Sequence, residues 1–146
     1  MRAKCVANRG EDIPEYLGVH FYKTSVRFAL TVGKMYPVLG LELYRGFLFV
    51  LVPDNTERRW PQWEPNELFE FDMSEIPADW HFRCYSHASP MRQSGWVARW
   101  GYRLLVESDE HRDGLGERDP GALEIFASEL QRAEHGLGGS PDMPCA

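Results

Sequence analysis

The sequence lacks several features that would assign it to a class at once. Its longest apolar run covers only residues 47–52, whereas a helix that crosses a membrane needs about 20 apolar residues. No apolar stretch follows the basic residues near the N-terminus, so a secretory signal is not expected. Cysteine is scarce, and an odd number of widely spaced cysteines argues against a disulfide framework (Cys5, Cys84 and Cys145). These absences predict a cytoplasmic protein without membrane contact.

The motifs of common enzyme classes are also missing. There is no G-x-S-x-G nucleophile motif, and Gly114-x-Gly116 lacks the third glycine of a dinucleotide-binding loop. The carboxylates between Glu107 and Asp113 have the clustered pattern of a solvated surface. Acid–base catalysis needs instead two carboxylates whose pKa values are pushed apart in a cleft. We therefore predict no catalytic residue, no cofactor and no enzymatic activity.

One pattern has the chemistry of a metal site. His81, Cys84 and His87 form H-x2-C-x2-H, and imidazole and thiolate are zinc ligands, but a closed structural site needs a fourth. If residues 80–85 form a strand, His81 and Cys84 lie on opposite faces. A buried Cys84 beside two histidines without metal is the favoured interpretation, and the zinc site is left open.

The negative charge is concentrated late in the chain. The net charge is −6. Residues 1–106 hold 13 basic and 12 acidic side chains, whereas residues 107–135 hold three basic and nine acidic ones. Such a segment repels phosphate backbones and attracts basic surfaces. The charge pattern therefore argues against a nucleic-acid ligand and predicts a protein partner with a basic contact surface.

Alternation of apolar residues predicts a series of short strands. The clearest signal is a hairpin in which Arg45-Gly46 joins two apolar strands. Other strands are predicted at the chain start as an edge strand, and at residues 26–31, 68–72 and 80–85. Because helices follow the strands instead of alternating with them, the fold class is α+β. We expect an antiparallel, strongly curved sheet of the SH3-like barrel type, followed by C-terminal helices.

The second half of the chain predicts the helices. Residues 96–105 have helical spacing of apolar side chains, and Ser108 caps a short acidic helix that Gly114 and Gly116 interrupt. A longer helix begins at Asp119-Pro120 and ends near residue 135. We expect one globular domain over residues 1–135 and a flexible tail over residues 136–146.

Two tryptophans lie outside the predicted elements. Trp60 and Trp63 fall between prolines in residues 56–66, a stretch that is expected to be extended and poorly paired. Burial under the sheet is the favoured interpretation for both. The alternative is that they anchor a partner, since tryptophan is frequent at the centre of interfaces.

A longer pattern resembles a known family. Residues 28–40 contain an apolar lead-in and L-x-V-G-K-x-Y-x-V, which spans residues 30–38. An apolar hairpin, Trp63-Glu64-Pro65, Ile76-Pro77-Ala78-Asp79-Trp80 and a closing helix from Asp119 follow. The pattern covers residues 26–130 and resembles the bacterial immunity proteins that are encoded beside polymorphic toxins. The motif residues are structural, so the resemblance assigns no functional residue.

The resemblance implies that the protein neutralises a cognate toxin by binding it directly, without catalysis. Combined with the charge pattern, it predicts a contact surface made of two tryptophans and the acidic segment: Trp60, Trp63, Glu107, Asp109, Glu110, Asp113 and Glu117. The alternative is a small SH3-like adaptor domain that binds a housekeeping protein or a peptide. The sequence leaves open the identity of the toxin and the oligomeric state.

Overall fold

The computed structural model describes residues 1–14, 24–72 and 75–136. These residues form eight strands: β1 Arg2–Cys5, β2 Met35–Pro37, β3 Gly40–Tyr44, β4 Phe47–Pro53, β5 Pro61–Pro65, β6 Phe69–Phe71, β7 His81–Cys84 and β8 Trp96–Gly101. They also form two 3-10 helices, Gly10–Asp12 and Asn66–Leu68, and four α-helices: α1 Pro90–Gln93, α2 Arg103–Glu107, α3 Asp109–Glu117 and α4 Pro120–Gly136. None of these helices is long and apolar enough to cross a membrane.

The strands form two antiparallel sheets. One has three strands in the order β2-β1-β6, and the other has five in the order β5-β4-β3-β8-β7. The α+β class, with antiparallel sheets and C-terminal helices, is confirmed. Neither sheet closes on itself within the described residues, so the expected barrel-type curvature is not confirmed. Of the predicted tail, only Gly136 is described, and it ends α4.

The hairpin is confirmed at the predicted turn. Tyr44 pairs with Phe47, and both residues between them have positive φ, 51° at Arg45 and 83° at Gly46. Two positive φ angles define the type I′ turn, whose twist matches that of the two strands.

Two predictions about the first third of the chain are wrong. β1 is the central strand of its sheet and not an edge, because it pairs with both β2 and β6. Residues 26–31 form no strand, apart from a single bridge between Arg9 and Arg27. The alternation of apolar residues in this stretch does correspond to burial, since Phe28 and Leu30 lie in the core. Residues 28–30 pair with none of the eight described strands, however, and the amide of Phe28 donates to the carbonyl of Asn8.

Two predictions about the larger sheet are also wrong. Within residues 56–66, β5 is paired with β4 along its whole length, and its two prolines end an edge strand, where proline is tolerated. Residues 96–105 are not one helix, because β8 lies between β3 and β7 before α2 begins. Between β7 and β8 lies the short helix α1, which Ser89 caps.

The five-stranded sheet has a core on each side. The first core lies between the two sheets, and the second lies between the larger sheet and the helices α2, α3 and α4. β4 supplies both, with Val50 and Val52 in the first core and Leu51 in the second. Burial on both faces explains why β4 is the most apolar strand in the chain.

The glycines of α3 do not interrupt it, contrary to the prediction. Gly114 faces α4, and a Cβ atom at this position would lie 3.0 Å from Cβ of Ala122. Gly116 lies on the exposed side, with nothing within 4 Å of such an atom. Gly114 therefore permits the close approach of the two helices, whereas Gly116 only weakens α3.

These two glycines give a matched pair of variants. We expect Gly116→Ala to raise the free energy of unfolding by about 0.5–1 kcal/mol, because alanine has the higher helix propensity. We expect Gly114→Ala to be less stable than Gly116→Ala by at least about 1 kcal/mol, since the added methyl group separates α3 from α4. Urea denaturation measures both, and equal stabilities would contradict the tight contact.

One carboxylate lies on the side of the first core. Glu64 of β5 is directly opposite Val50 and is only 5% exposed. Burial, together with repulsion from Asp54, raises the pKa of Glu64 to about 8. The pKa of the Cys5 thiol is raised as well, mainly by burial and in part by Glu64.

The raised pKa makes the stability pH-dependent with a definite sign. The native state keeps the Glu64 proton up to about pH 8, whereas the unfolded chain releases it near 4.5. Stability is therefore lost as the pH rises through this window. Above pH 8, we expect the free energy of unfolding of Glu64→Gln to exceed that of the wild type by on the order of 2–4 kcal/mol. We also expect the stability of this variant to change less with pH.

Urea denaturation across the same pH range measures this effect. Glu70→Gln is the control, because Glu70 is exposed on β6. If the stabilities of the wild type and Glu64→Gln changed with pH in parallel, the raised pKa of Glu64 would be contradicted.

Candidate protein-contact site

Residues 109–117 of the acidic segment form α3, which lies on the helix-facing side of the larger sheet. Its start is fixed by Ser108, whose Oγ accepts a hydrogen bond from the His111 amide at 3.0 Å. Asp109 and Glu110 in the first turn complement the helix dipole. His111, Gly114 and Leu115 are buried, so α3 has a distinct inner and outer side.

A buried ion-pair network joins α3 to the sheet. Arg99 of β8 is 0% exposed, and its Nε donates to Glu42 of β3 at 3.0 Å. Its Nη1 donates to Asp109 at 3.1 Å and to the carbonyl of Leu105 at 3.2 Å. Arg112 of α3 donates to the other oxygen of Glu42 at 2.7 Å. We call Glu42, Arg99, Asp109 and Arg112 the ion-pair network.

Strand register explains how this network forms. Arg83, Arg99 and Glu42 are cross-strand neighbours on β7, β8 and β3, and such neighbours project on the same face. Asp109 also contacts Arg83 at 3.5 Å and accepts from the hydroxyl of Tyr85 at 2.7 Å. The sequence signal for this network is weak, a single charged residue in the middle of β3 and another in β8, and the sequence analysis missed it.

Asp109 is held as an ionised acceptor. Burial opposes its ionisation, but hydrogen bonds from Tyr85 and Arg99 and the charges of Arg83 and Arg99 together lower the pKa of Asp109. The same hydrogen bond and burial raise the pKa of Tyr85 to about 12. With pKa values displaced away from neutrality, neither group is suited to proton transfer near neutral pH.

A second contact fixes α3 to the end of β8. The hydroxyl of Tyr102 and Nε2 of His111 lie 2.7 Å apart, and both residues are buried. Burial lowers the pKa of His111 and raises the pKa of Tyr102. Both groups are therefore neutral near pH 7, and their hydrogen bond anchors the helix without a charge.

The outer side of α3 carries three exposed carboxylates. Glu110, Asp113 and Glu117 have the i, i+3, i+7 spacing of a single helix face, and all three are exposed. Asp113 has one weak contact with Arg112 at 3.5 Å. We call these three residues the acidic face.

The two tryptophans occupy different environments. Trp60 precedes β5 and lies beside the C-terminal end of α3, where the guanidinium of Arg118 is 4.7 Å from its ring centre. Trp63 of β5 packs against the second core, with Arg112 5.7 Å from its ring. Trp60 thus contacts the residue that follows α3, whereas Trp63 packs against Arg112 of α3 and the second core.

Of the seven predicted contact residues, Glu110, Asp113 and Glu117 share one face of α3, and Trp60 is linked to the end of this helix through Arg118. Asp109 and Trp63 face inward. Glu107 belongs to α2, where it pairs with Arg103 at 3.0 Å and lies 3.9 Å from His81. This separation follows from Ser108, where α2 ends and α3 begins.

The predicted metal ligands are exposed side chains. His81, Cys84 and His87 are all accessible, so the expectation of a buried Cys84 is wrong. Cys84 lies on an edge strand whose outer face is open. In the described part of the chain no group of three or more His, Cys, Asp or Glu side chains has the arrangement of a metal site.

A cleft of about 320 Å³ lies between the chain start, residues 77–80 and α4. Its charged side chains are paired with one another, since Arg132 contacts Asp79 at 3.6 Å and Glu129 at 3.1 Å. These ion pairs link α4 to the segment that contains Asp79. They leave neither Asp79 nor Glu129 as an unpaired acid or base.

Comparisons with protein-family models, curated proteins and solved structures gave no match to this chain.

The ion-pair network predicts a large cost for removing Glu42. Glu42→Gln removes the negative charge between the guanidinium groups of Arg99 and Arg112, and we expect a loss of about 3–5 kcal/mol in the free energy of unfolding. The control is Glu107→Gln, which breaks an exposed ion pair and is expected to cost less than about 1 kcal/mol. Chemical denaturation measures both, and similar costs would contradict a structural role for the network.

Proposed function

We propose that this protein is an immunity protein, which binds a cognate bacterial toxin through the acidic face and Trp60 and neutralises it without catalysis. The observation that carries the proposal is the division of charge on α3. Asp109 is paired within the fold, whereas Glu110, Asp113 and Glu117 project from it. The outward carboxylates are available to a partner.

The acidic face suits a basic partner such as an active site that binds phosphates. Like-signed charges in a row raise the rate of encounter with an oppositely charged surface and fix its orientation. The underlying helix is held by the ion-pair network and by the bond between Tyr102 and His111. A fixed surface loses little conformational entropy on binding, which favours tight complexes.

The site of action in this proposal is the cytoplasm. Cys5 and Cys84 are both free thiols, a state that suits a reducing compartment. The alternative is an SH3-like adaptor domain that binds a housekeeping protein or a peptide. The protein encoded by the neighbouring reading frame distinguishes the two proposals, because only an immunity protein is expected to bind it. Co-purification of that product with this chain, and rescue of cells that express it, are expected for an immunity protein.

Charge reversal on the acidic face tests the contact surface. We expect Glu110→Lys with Asp113→Lys to weaken toxin binding about tenfold to hundredfold, mainly through a slower association rate with weaker dependence on salt. Both side chains are exposed, so thermal stability is expected to change by less than about 0.5 kcal/mol.

The matched control is Asp12→Lys with Glu70→Lys. It changes the net charge equally at two exposed residues of the other sheet region. Surface plasmon resonance measures the association rates of all three proteins. An equal loss of affinity in both double variants would show that only the net charge matters. An unchanged affinity of the α3 variant would show that the acidic face is not part of the interface.

A further inference from the structure

A groove of about 280 Å³ lies between the loop before β5 and α4. It begins beside Trp60, where the acidic face ends. Its walls are largely apolar, and those that matter here are Trp60, Pro61, Leu123, Phe126, Ala127 and Leu130. A space of this volume accommodates one large apolar side chain of a ligand.

The loop that forms one wall is held in a fixed conformation. Asp54 is buried, and its Oδ1 accepts from the Thr56 amide at 3.0 Å, the Thr56 hydroxyl at 2.7 Å and the Trp60 amide at 3.1 Å. The Asp54 amide donates in turn to the carbonyl of Trp60 at 2.8 Å. The groove is therefore present before a ligand binds, which lowers the entropic cost of binding.

One cation of the loop is already neutralised. Arg59 has a φ of 51° and forms an ion pair with Glu134 of α4. This hydrogen bond and the charge of Arg59 lower the pKa of Glu134. The pair links the loop to the helix at the end of the groove, so Arg59 is a structural element of the site.

Two further cations are not neutralised. The guanidinium groups of Arg58 and Arg118 lie 5.5 and 4.7 Å from the ring centre of Trp60, and both side chains are exposed. Neither forms an ion pair with a carboxylate of the described residues. A cation over an aromatic face is held weakly when it is exposed to water. Each arginine can therefore turn to an incoming anion at little cost.

We propose that this groove binds an acidic segment of a partner protein. One apolar side chain of the segment enters the groove against Leu123 and Ala127, and flanking carboxylates pair with Arg58 and Arg118. Charge complementarity selects this partner, because Arg58 lines the groove, Arg118 contacts Trp60 of its wall, and neither arginine pairs with a described carboxylate. Arginine also binds carboxylates in a bidentate geometry.

The surroundings disfavour a nucleic acid in the same place. Tryptophan and arginine can stack on a base, but Glu57 and Glu117 are the direct chain neighbours of the two arginines, and both are exposed. A continuous phosphate backbone would approach these carboxylates. A short acidic segment that ends at Arg58 and Arg118 would not extend past Glu57 and Glu117.

The inference is independent of whether the partner is a toxin. It requires a partner with an acidic segment, whereas the acidic face requires a basic surface. The two sites are adjacent but require partners of opposite charge. A variant in one site is therefore expected to weaken binding of that site's partner and to leave binding at the other site unchanged.

The probe is a phage-displayed library of random peptides, selected in parallel on the wild type and on Arg58→Glu. We expect the wild type to enrich peptides that place acidic residues beside an aromatic or large aliphatic residue, and Arg58→Glu not to enrich them. A selected peptide is then synthesised and its affinity is measured by fluorescence anisotropy. We expect Arg58→Glu to weaken it about tenfold or more, as expected for a paired charge.

A groove-filling variant gives a second test that does not change the charge. Ala127 is exposed in the groove wall, so Ala127→Trp fills the space and is expected to abolish peptide binding while the melting temperature is kept. The control Arg2→Glu with Lys4→Glu, on the exposed side of β1, is expected to bind as the wild type does. No enrichment of acidic peptides, equal binding by Ala127→Trp, or tighter binding of single-stranded oligothymidylate than of the peptide would each overturn the proposal.

Discussion

The buried guanidinium of Arg99 is the constraint on which the contact surface depends. It lies in the centre of the larger sheet with no exposure to water, and an isolated charge in such a place is costly. Glu42 and Asp109 supply the compensating charge, one from the neighbouring strand and one from the helix. Because Asp109 must reach Arg99, α3 is fixed across the sheet in one position and one rotation. That rotation turns Glu110, Asp113 and Glu117 outward.

The same constraint changes the meaning of the acidic segment. Counted along the chain, residues 107–135 form one block of negative charge. In the fold, Asp109 is matched within the protein, and Glu129 and Glu134 are paired with arginines of α4 and of the loop before β5. Among residues 107–135, the exposed carboxylates without an ion pair include Glu110 and Glu117 on the outer side of α3 and Glu124 on α4. At the end of α3 the sign reverses, because Arg58 and Arg118 adjoin Trp60 beside an apolar groove. The surface therefore offers two adjacent regions of opposite charge, which suits recognition of an extended protein partner.

The errors of sequence analysis have identifiable physical causes. In residues 96–101 the inward positions of β8 include Arg99 and Gly101, so the buried face of the strand carries no apolar pattern, and the helical spacing of Trp96, Val97 and Trp100 dominated instead. In residues 26–31 the alternation of Phe28 and Leu30 correctly reported burial, but a strand also needs a neighbour to share its backbone hydrogen bonds. Cys84 was expected to be buried because cysteine usually is. It is exposed because β7 is an edge strand whose outer face is uncovered.

Local signals in the sequence determined the elements that depend on a few adjacent residues. The turn at Arg45-Gly46, the cap at Ser108 and the start of α4 at Pro120 each follow from the conformational preferences of the residues concerned. The sequence also determined the acidity of the late segment. Only the tertiary structure decided which acidic residues remain free, because their partners are distant along the chain: Asp109 pairs with Arg83, 26 residues away, and Glu134 with Arg59, 75 residues away. The groove beside Trp60 depends likewise on the approach of α4 to a distant loop, a contact that no local pattern specifies.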